Sequence, residues 1–356
     1  MSIICENMTP TPTVLPSSEL ERPNPLPLPY IETPLIPSLY LSERVGCSVY
    51  LKLEQVQPSG SFKSRGLGNL VYETIRSSPF GSQFHFFSSS GGNAGCATAY
   101  AAKLYKQKCT VCVPISTPVA MVERIRRAGA NVVVHGKYIA DSDKYLREEL
   151  IPSSDLPAVY CHPYDNELVW EGNSTLASEI VSQMSILGQK KPSAVICSVG
   201  GGGMFNGLVQ GFQKANWQDV PILAVETEGC ATLNKSIKSG GQQVRVEHPS
   251  TIARSLSTVS VTRETIDYAM HKHPTHSMTV SDAEAATACI EFANDHKLLI
   301  EAACGTALAP LYTNRIHEVV PGLSADSVLV VVVCGGTAVN WEILEQYSKE
   351  YGVPLY

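Results

Sequence analysis

The residue best suited to chemistry is a lysine that follows a tight turn. Lys63 lies in residues 58–66, after a Ser/Gly turn and at the predicted start of a helix, and the strand-like run 48–54 precedes it. A lysine at such a junction can be a buried amine that forms a Schiff base with a carbonyl cofactor. A surface lysine in a first helical turn is the other interpretation, and this segment alone favours it. The choice therefore depends on other loops of the chain.

A second loop combines serine, glycine and asparagine between a strand and an alanine-rich helix. Residues 88–95 read Ser-Ser-Ser-Gly-Gly-Asn-Ala-Gly. Exposed N–H groups at a helix N-terminus suit a carboxylate, and Asn93 can donate to a nearby oxygen. A strand-helix turn capped by serine explains the same residues equally well.

A third loop holds four successive glycines at residues 200–203, between the strand-like run 194–199 and the helical stretch 205–214. Such a loop lets several N–H groups surround a phosphate at a helix N-terminus. It matches neither the dinucleotide fingerprint nor the P-loop, because the glycine spacing and the Lys-Ser/Thr ending differ. Four glycines carry a high conformational entropy cost, so phosphate binding is favoured over a purely structural turn.

The fourth loop, Cys334-Gly335-Gly336, ends the hydrophobic run 327–334. In open parallel sheets, ligands bind outside the carboxyl ends of the strands. All four loops follow strand-like segments, so we expect one crevice to collect them. This convergence indicates a ligand site more strongly than any loop does separately.

Composition limits the classes of protein that fit. The chain has 356 residues, enough for two domains, with 44% hydrophobic and 17% charged residues. The 27 basic and 33 acidic residues give a net charge of −6, which argues against nucleic acid or an anionic membrane as partner. We expect neither a transmembrane helix nor a signal peptide. The eleven cysteines are scattered, many in apolar runs, so we expect reduced thiols and a cytoplasmic protein.

Strand and helix signals alternate from residue 48 onward and predict an α/β fold. Further strand-like runs are residues 83–88, 109–114, 131–135, 158–161, 194–199, 222–226 and 327–334. Continuous Val/Ile/Leu runs indicate strands buried on both faces, and therefore parallel sheets covered by helices. The clearest helix is predicted at 282–299, and a last one near 340–351.

Taken together, these motifs resemble those of pyridoxal-phosphate enzymes of the tryptophan-synthase-β type (fold type II). Within that group they are most similar to the eukaryotic L-serine dehydratase/L-threonine deaminase (serine ammonia-lyase) family. The resemblance extends from about residue 33 to 347, and includes His-Pro-Tyr-Asp-Asn at 162–166 and Trp-Glu-Gly at 170–172. It implies two open, twisted, mostly parallel sheets covered by helices, with the cofactor in a cleft between two domains. The implied boundaries are an irregular proline-rich lead segment (1–38), a large domain (39–66 and 167–356) and a small domain (67–166).

The resemblance also assigns roles to the cofactor loops. Lys63 would hold pyridoxal phosphate as a Schiff base and then remove the α-proton of the substrate. Phe62 would cover one face of the ring, and Cys334 would meet the pyridine nitrogen as a mostly neutral thiol. The implied phosphate contacts are the N–H groups of Gly200, Gly201, Gly202, Gly203 and Met204.

Substrate and cation positions follow from the same resemblance. Ser90, Gly91 and Asn93 would bind the carboxylate of a small amino acid, and Asn93 would also touch the ring hydroxyl. Relatives carry a monovalent cation such as K+, which the matching positions would hold mostly through carbonyl oxygens. Those positions are Gly200, Glu226, Cys230, Leu256 and Thr258. An ordinary polar strand end is the alternative for Glu226. A homodimer is implied as well.

The predicted reaction is β-elimination from L-serine, L-threonine or a related β-substituted amino acid, giving a 2-oxo acid and ammonia. A racemase of the same fold is disfavoured, because racemase-like relatives carry serine where this chain has Gly91. β-Replacement, as in cysteine synthesis, uses the same lysine and stays open. A non-catalytic cofactor-binding protein is opposed by the retained motifs. Ala302, Ser257 and residues 337–338 depart from the dehydratase pattern, which suggests a specialised substrate.

Overall fold

The computed structural model describes residues 26–356, whose strands form two separate sheets. The strands are β1 (Leu35–Pro37), β2 (Ser48–Leu53), β3 (His85–Ser88), β4 (Lys108–Val113), β5 (Asn131–Val134), β6 (Ala158–Tyr160), β7 (Ala194–Ser198), β8 (Ile222–Thr227), β9 (Thr275–Val280) and β10 (Val328–Val333). The larger sheet has the order β1-β2-β10-β7-β8-β9 and the smaller one β5-β4-β3-β6. Every pairing is parallel except that of β1 with β2.

Helices alternate with the strands along the chain. They are α1 (Leu39–Val45), α2 (Lys63–Arg76), α3 (Asn93–Leu104), α4 (Val119–Ala128), α5 (Ile139–Tyr145), α6 (Glu167–Ile186), α7 (Gly203–Lys214), α8 (Thr232–Lys238), α9 (Arg263–Asp267), α10 (Asp282–His296), α11 (Ala302–Tyr312), α12 (Ile316–Val319) and α13 (Trp341–Tyr351). The predicted α/β fold with two mostly parallel sheets is confirmed.

The strand β10 shows why the hydrophobic runs were informative. All six of its residues are buried, and it lies between β2 and β7, so that Val330 pairs with both Tyr50 and Val195. A central parallel strand is covered on both faces, which is why its sequence is continuously apolar. The strands of the smaller sheet lie within residues 85–160, and those of the larger sheet lie on either side of that range. The domain boundaries stay a prediction.

Two strands are not predicted from the sequence. The first, β1, has three residues and lies inside the lead segment 1–38, of which residues 1–25 fall outside the described part. The second, β9, is an edge strand whose half-exposed residues break the apolar pattern. The helix predicted at 282–299 ends earlier, at His296, because Lys297 adopts a left-handed conformation with φ +56. Sequence patterns therefore predict buried central strands better than short or exposed ones.

A buried ion network anchors the helix that carries Lys63. Arg65 donates through Nε to Glu54 Oε2 at 2.7 Å and through Nη1 to Glu179 Oε1 at 2.6 Å. Lys52 Nζ donates to Glu179 Oε2 at 2.6 Å. Arg65, Lys52 and Glu54 are fully buried. Because these groups belong to β2, α2, α6 and the turn after β2, they fix the first turn of α2 against its surroundings.

In residues 26–356, no helix is long and apolar enough to cross a membrane. The ten cysteines of this range are all buried and free of disulfides. This agrees with the expected reduced thiols.

Replacing Arg65 with alanine tests the network. The change leaves Glu54 buried without its cation, so we expect a loss of about 3–5 kcal/mol in the free energy of unfolding. Urea denaturation followed by circular dichroism measures it. Arg76→Ala is the control, because Arg76 pairs with Glu73 at the surface and its loss is expected to cost less than about 1 kcal/mol. Equal losses in both variants would contradict this account.

Candidate active site

The turn before Lys63 is pinned to the loop after β10. Phe62 N donates to the Cys334 carbonyl at 3.1 Å, and Ser61 forms an isolated β-bridge with Gly335. Gly60 makes the turn with φ +87, a conformation that favours glycine. The lysine loop and the cysteine loop, 271 positions apart in sequence from Lys63 to Cys334, are thus adjacent, as predicted from their strand ends.

The Lys63 amine lies in a confined setting. Its Nζ donates to the Pro163 carbonyl at 2.6 Å and lies 5.0 Å from the centre of the Phe62 ring. Burial lowers the pKa of Lys63 to about 8, although the nearby Cys334 and Glu301 act to raise it. A substantial fraction of this amine is therefore neutral near neutral pH, and only a neutral amine is a nucleophile or a base.

The serine-glycine loop leads into α3 as predicted. Gly92 is the N-cap, and its N–H donates to Ser90 Oγ at 3.3 Å. Helical bonding begins with Cys96 N and Gly92 O, so the N–H groups of the first turn lack intrahelical partners. These donors and the helix dipole suit a carboxylate.

Gly91 has a packing reason to be glycine. A Cβ at this position would lie 2.7 Å from Thr117 Oγ1 and 2.8 Å from Thr117 Cγ2. Serine at position 91 therefore needs Thr117 to move. The sequence alone does not indicate this role of Thr117, because the two residues belong to different loops.

The tetraglycine loop is more tightly packed than the sequence predicts. A Cβ at Gly201 would collide with the Tyr164 ring, and one at Gly202 with Thr265. Gly202 also has φ +97. The sequence favoured phosphate binding over a structural turn as the reason for four glycines. Packing alone, however, explains why Gly201 and Gly202 are glycine.

The same loop still presents donors for an anion. Gly202 is the N-cap of α7, and helical bonding begins with Asn206 N and Gly202 O at 2.8 Å. The N–H groups of Gly203 and Met204 thus lack intrahelical partners. Tyr164, whose ring packs against Gly201 of this loop, directly follows Pro163, and the Pro163 carbonyl accepts a hydrogen bond from Lys63 Nζ.

Cys334 lies buried where β10 ends. Its Sγ is 3.8 Å from Ser198 Oγ at the end of the neighbouring β7. A hydrogen bond with Cys304, together with burial, raises the pKa of Cys334 well above its ordinary value. The thiol is therefore neutral at physiological pH.

Some of the residues predicted to bind a cation already have hydrogen-bond partners within the protein. Glu226 accepts from Leu233 N at 2.8 Å and from Asn234 N at 2.6 Å, so its carboxylate already caps the start of α8. Cys230 Sγ lies 3.0 Å from Thr227 Oγ1. Within residues 26–356, Thr258 Oγ1 is a buried hydroxyl with no hydrogen-bond partner.

Glu301 is a residue of this site that the sequence did not reveal. Its carboxylate accepts from Asn93 Nδ2 at 3.0 Å, and its charge acts on both Lys63 and Cys334. A glutamate before a helix of small residues is a weak signal, and the separation of 208 residues from Asn93 hides the contact.

Comparison with known proteins agrees with this geometry. A family model described as pyridoxal-phosphate dependent enzyme matches residues 26–335. The chain belongs to this family. A catabolic L-serine/threonine dehydratase of Saccharomyces cerevisiae is 38% identical over 327 residues, covering 89% of this chain and 90% of the yeast protein. A mouse L-serine dehydratase/L-threonine deaminase is 37% identical, covering 91% and 96%. The crystal structure of a fungal L-serine ammonia-lyase from Rhizomucor miehei superposes with a TM-score of 0.84 at 34% identity, covering 91% and 99%.

The residues present fit the pyridoxal phosphate that membership of this family implies. An aldehyde needs a neutral amine, which the lowered pKa of Lys63 supplies. A phosphate needs several donors, which the unpaired N–H groups at the start of α7 supply. A pyridine nitrogen can share a hydrogen bond with a thiol, and Cys334 directly follows the central strand β10.

The pH dependence of cofactor uptake tests the setting of Lys63. Since only the neutral amine attacks an aldehyde, we expect the uptake rate of cofactor-free protein to rise with pH and to level off above about 8. Stopped-flow absorbance measures this rate. N-acetyl-lysine amide in solution is the control, and its rate should rise until about pH 10.4. A protein rate that follows the control would show that the amine is not desolvated.

Proposed function

We propose that this chain is a pyridoxal-phosphate-dependent ammonia-lyase that converts L-serine and L-threonine to 2-oxo acids and ammonia. The observation that carries the proposal is the Lys63 amine, with its pKa near 8, bonded to the Pro163 carbonyl and next to a turn that is pinned to the loop after β10. The yeast and mouse relatives are named for this pair of substrates. Lys63 is therefore the residue that would hold the cofactor.

The remaining cofactor contacts divide among the loops. The N–H groups at residues 200–204 would hold the phosphate, Phe62 would cover one face of the ring and Cys334 would meet the ring nitrogen. When bound, pyridoxal phosphate withdraws electrons from Cα of an amino acid and so weakens the Cα–H bond. Everything else in the reaction depends on how the protein places the substrate and moves its protons.

Substrate orientation depends on the start of α3. The free N–H groups of its first turn, with Ser90, Gly91 and Asn93, bind the substrate carboxylate, and Asn93 would also touch the ring hydroxyl of the cofactor. A carboxylate held there and an amino group held at the cofactor leave Cα little freedom to rotate. Proton transfer needs such alignment, and orientation of reacting groups supplies a large part of enzymatic rate enhancement.

Lys63 would act as the base that takes the α-proton of the substrate. At neutral pH an amine whose pKa is near 8 supplies more free base than an ordinary lysine, because a larger fraction of it is neutral. The Pro163 carbonyl, 2.6 Å from Nζ, accepts a hydrogen bond from the amine and so fixes its direction. The proton therefore moves to a group that is already positioned.

A neutral thiol at Cys334 favours elimination over racemisation. Unlike a carboxylate, it would not favour protonation of the ring nitrogen, so the bound cofactor would stabilise negative charge at Cα less strongly. Loss of the β-hydroxyl as water, balanced by a proton equal to the one that Lys63 removed from Cα, relieves this charge promptly. The aminoacrylate released from the site then hydrolyses to a 2-oxo acid and ammonia.

The alternatives have less support. A racemase needs a second acid/base on the opposite face, and Thr117 occupies the space that a side chain at position 91 would need. β-Replacement and a specialised β-substituted substrate use the same lysine, so product analysis separates them from simple deamination.

We also propose a bound potassium ion, a homodimer and a cytoplasmic location. Two observations support the cation site. The Thr258 hydroxyl has no hydrogen-bond partner among the described residues, and Gly200 lies so close to Leu256 that a Cβ on Gly200 would be 3.1 Å from Leu256 Cα. The exposed apolar side chains Leu39 and Tyr40 of α1 support an interface with a second copy. The buried free thiols support a reducing compartment.

An amino-acid screen tests the reaction. The purified, cofactor-loaded protein should release pyruvate from L-serine and 2-oxobutyrate from L-threonine, with one ammonia per product. Lys63→Ala should lose the visible absorption band of the bound cofactor and reduce the rate at least about 1,000-fold, because it removes both the attachment point and the base.

The same screen reports on the alternatives. Accumulation of D-serine would favour a racemase, and product formation only with an added thiol would favour β-replacement. A β-substituted substrate that is turned over far better than serine would make the enzyme a specialised lyase. Equal rates with potassium and with choline chloride would contradict the cation site.

A further inference from the structure

Glu301 is a buried carboxyl group without a role in the steps above. Only 4% of the residue is exposed. Burial raises its pKa, although the hydrogen bonds that it accepts, that of Ser255 first, act in the opposite direction. It directly precedes α11, yet its side chain does not cap that helix. Helix capping therefore does not explain why a carboxyl group is buried here.

The contacts of Glu301 join the two loops that flank the proposed cofactor. Its Oε1 accepts from Asn93 Nδ2 at 3.0 Å, and its Oε2 accepts from Ala338 N at 3.1 Å. Gly336, with φ +130, packs so closely that a Cβ there would collide with the carboxyl group. The loop after β10 is thus shaped around this carboxylate.

Thr337 determines which way the Asn93 amide faces. Asn93 Oδ1 accepts from Thr337 N at 3.0 Å and from Thr337 Oγ1 at 2.9 Å. A backbone N–H can only donate, so the oxygen of the amide must face Thr337. Its Nδ2 therefore faces Glu301 and Ser255, whose Oγ lies 3.2 Å away.

The two Nδ2 protons of Asn93 differ in how firmly they are held. One goes to a carboxylate, and hydrogen bonds to a charged acceptor are stronger than those to a neutral one. The other goes to the neutral Ser255 hydroxyl at a longer distance. If a ligand oxygen competes for Asn93, the bond to Ser255 is the weaker one and is released first.

We propose that Glu301 is a positioning residue that holds Asn93 so that its second amide proton is available to the ring oxygen of the cofactor. The inference rests on the function proposed above and on the contact between Asn93 and the ring hydroxyl that the family resemblance implies. The network also links α3, next to the smaller sheet, to loops of the larger sheet. Glu301 thereby fixes the position of the substrate loop relative to the cysteine loop.

Glu301→Gln tests the proposal on the cofactor-loaded enzyme. In either orientation of the new amide, an NH2 group faces Asn93 Nδ2 or Ala338 N, so one bond is lost. We expect the absorption maximum of the bound cofactor to shift and the cofactor to dissociate about 10- to 100-fold faster. With L-serine, kcat should fall about 100-fold and KM much less, because a misplaced group acts mainly on the chemical step.

Two further variants complete the design. Glu284→Gln is the matched control, because Glu284 caps α10 and pairs with Arg315 at 2.6 Å; its spectrum should equal that of the wild type. Thr337→Val keeps the backbone donor but removes the hydroxyl bond to Asn93, so a smaller spectral shift is expected.

The outcomes separate this inference from the proposed function. A folded Glu301→Gln enzyme with an unchanged spectrum, cofactor dissociation rate and kcat would overturn it. If Glu301→Gln does not fold, an unchanged spectrum in Thr337→Val overturns it instead. The spectral and dissociation measurements need no substrate. A wild-type enzyme that fails to deaminate serine would therefore contradict the proposed function, whereas the spectral and dissociation measurements would still test the role of Glu301.

Discussion

The burial of one amine is the constraint on which the site depends. Lys63 Nζ has to be removed from water far enough that its pKa falls toward the neutral range, and yet remain held at a fixed point. The structure meets both needs with the ion network two residues further along α2, which anchors the helix through Arg65. The bond from Phe62 N to the Cys334 carbonyl fixes the turn before it. A flexible surface lysine with the same sequence neighbours would stay protonated.

A second feature is the way in which polar side chains connect the two sheets. Asn93 begins a helix beside the smaller sheet, whereas Glu301, Ser255 and Thr337 belong to the elements of the larger one. The substrate loop is therefore positioned relative to the cofactor loops by specific hydrogen bonds as well as by apolar packing. Buried polar networks of this kind favour one arrangement, because an unpaired member is costly in a medium of low dielectric constant.

The sequence predicted the strands of the core well and the side-chain network poorly, for physical reasons. Runs such as Val328–Val333 are continuously apolar because both faces of the strand are covered, and that pattern is local. Glycine loops at strand ends are also local signals, and they predicted correctly that the lysine and cysteine loops meet. The contact between Asn93 and Glu301 spans 208 residues, and the packing of Thr117 on Gly91 joins two separate loops. No periodicity or composition encodes such pairs, and the edge strand Thr275–Val280 lacks the apolar run of a central one.

The most direct test of the central claim is to find where the cofactor is attached. Borohydride reduction of the cofactor-loaded protein, followed by proteolysis and mass spectrometry, converts the linkage into a stable label on a peptide. The account predicts one label for each chain, on Lys63, and none in Lys63→Ala. A label on another lysine, or no label in a protein that is yellow before reduction, would contradict it.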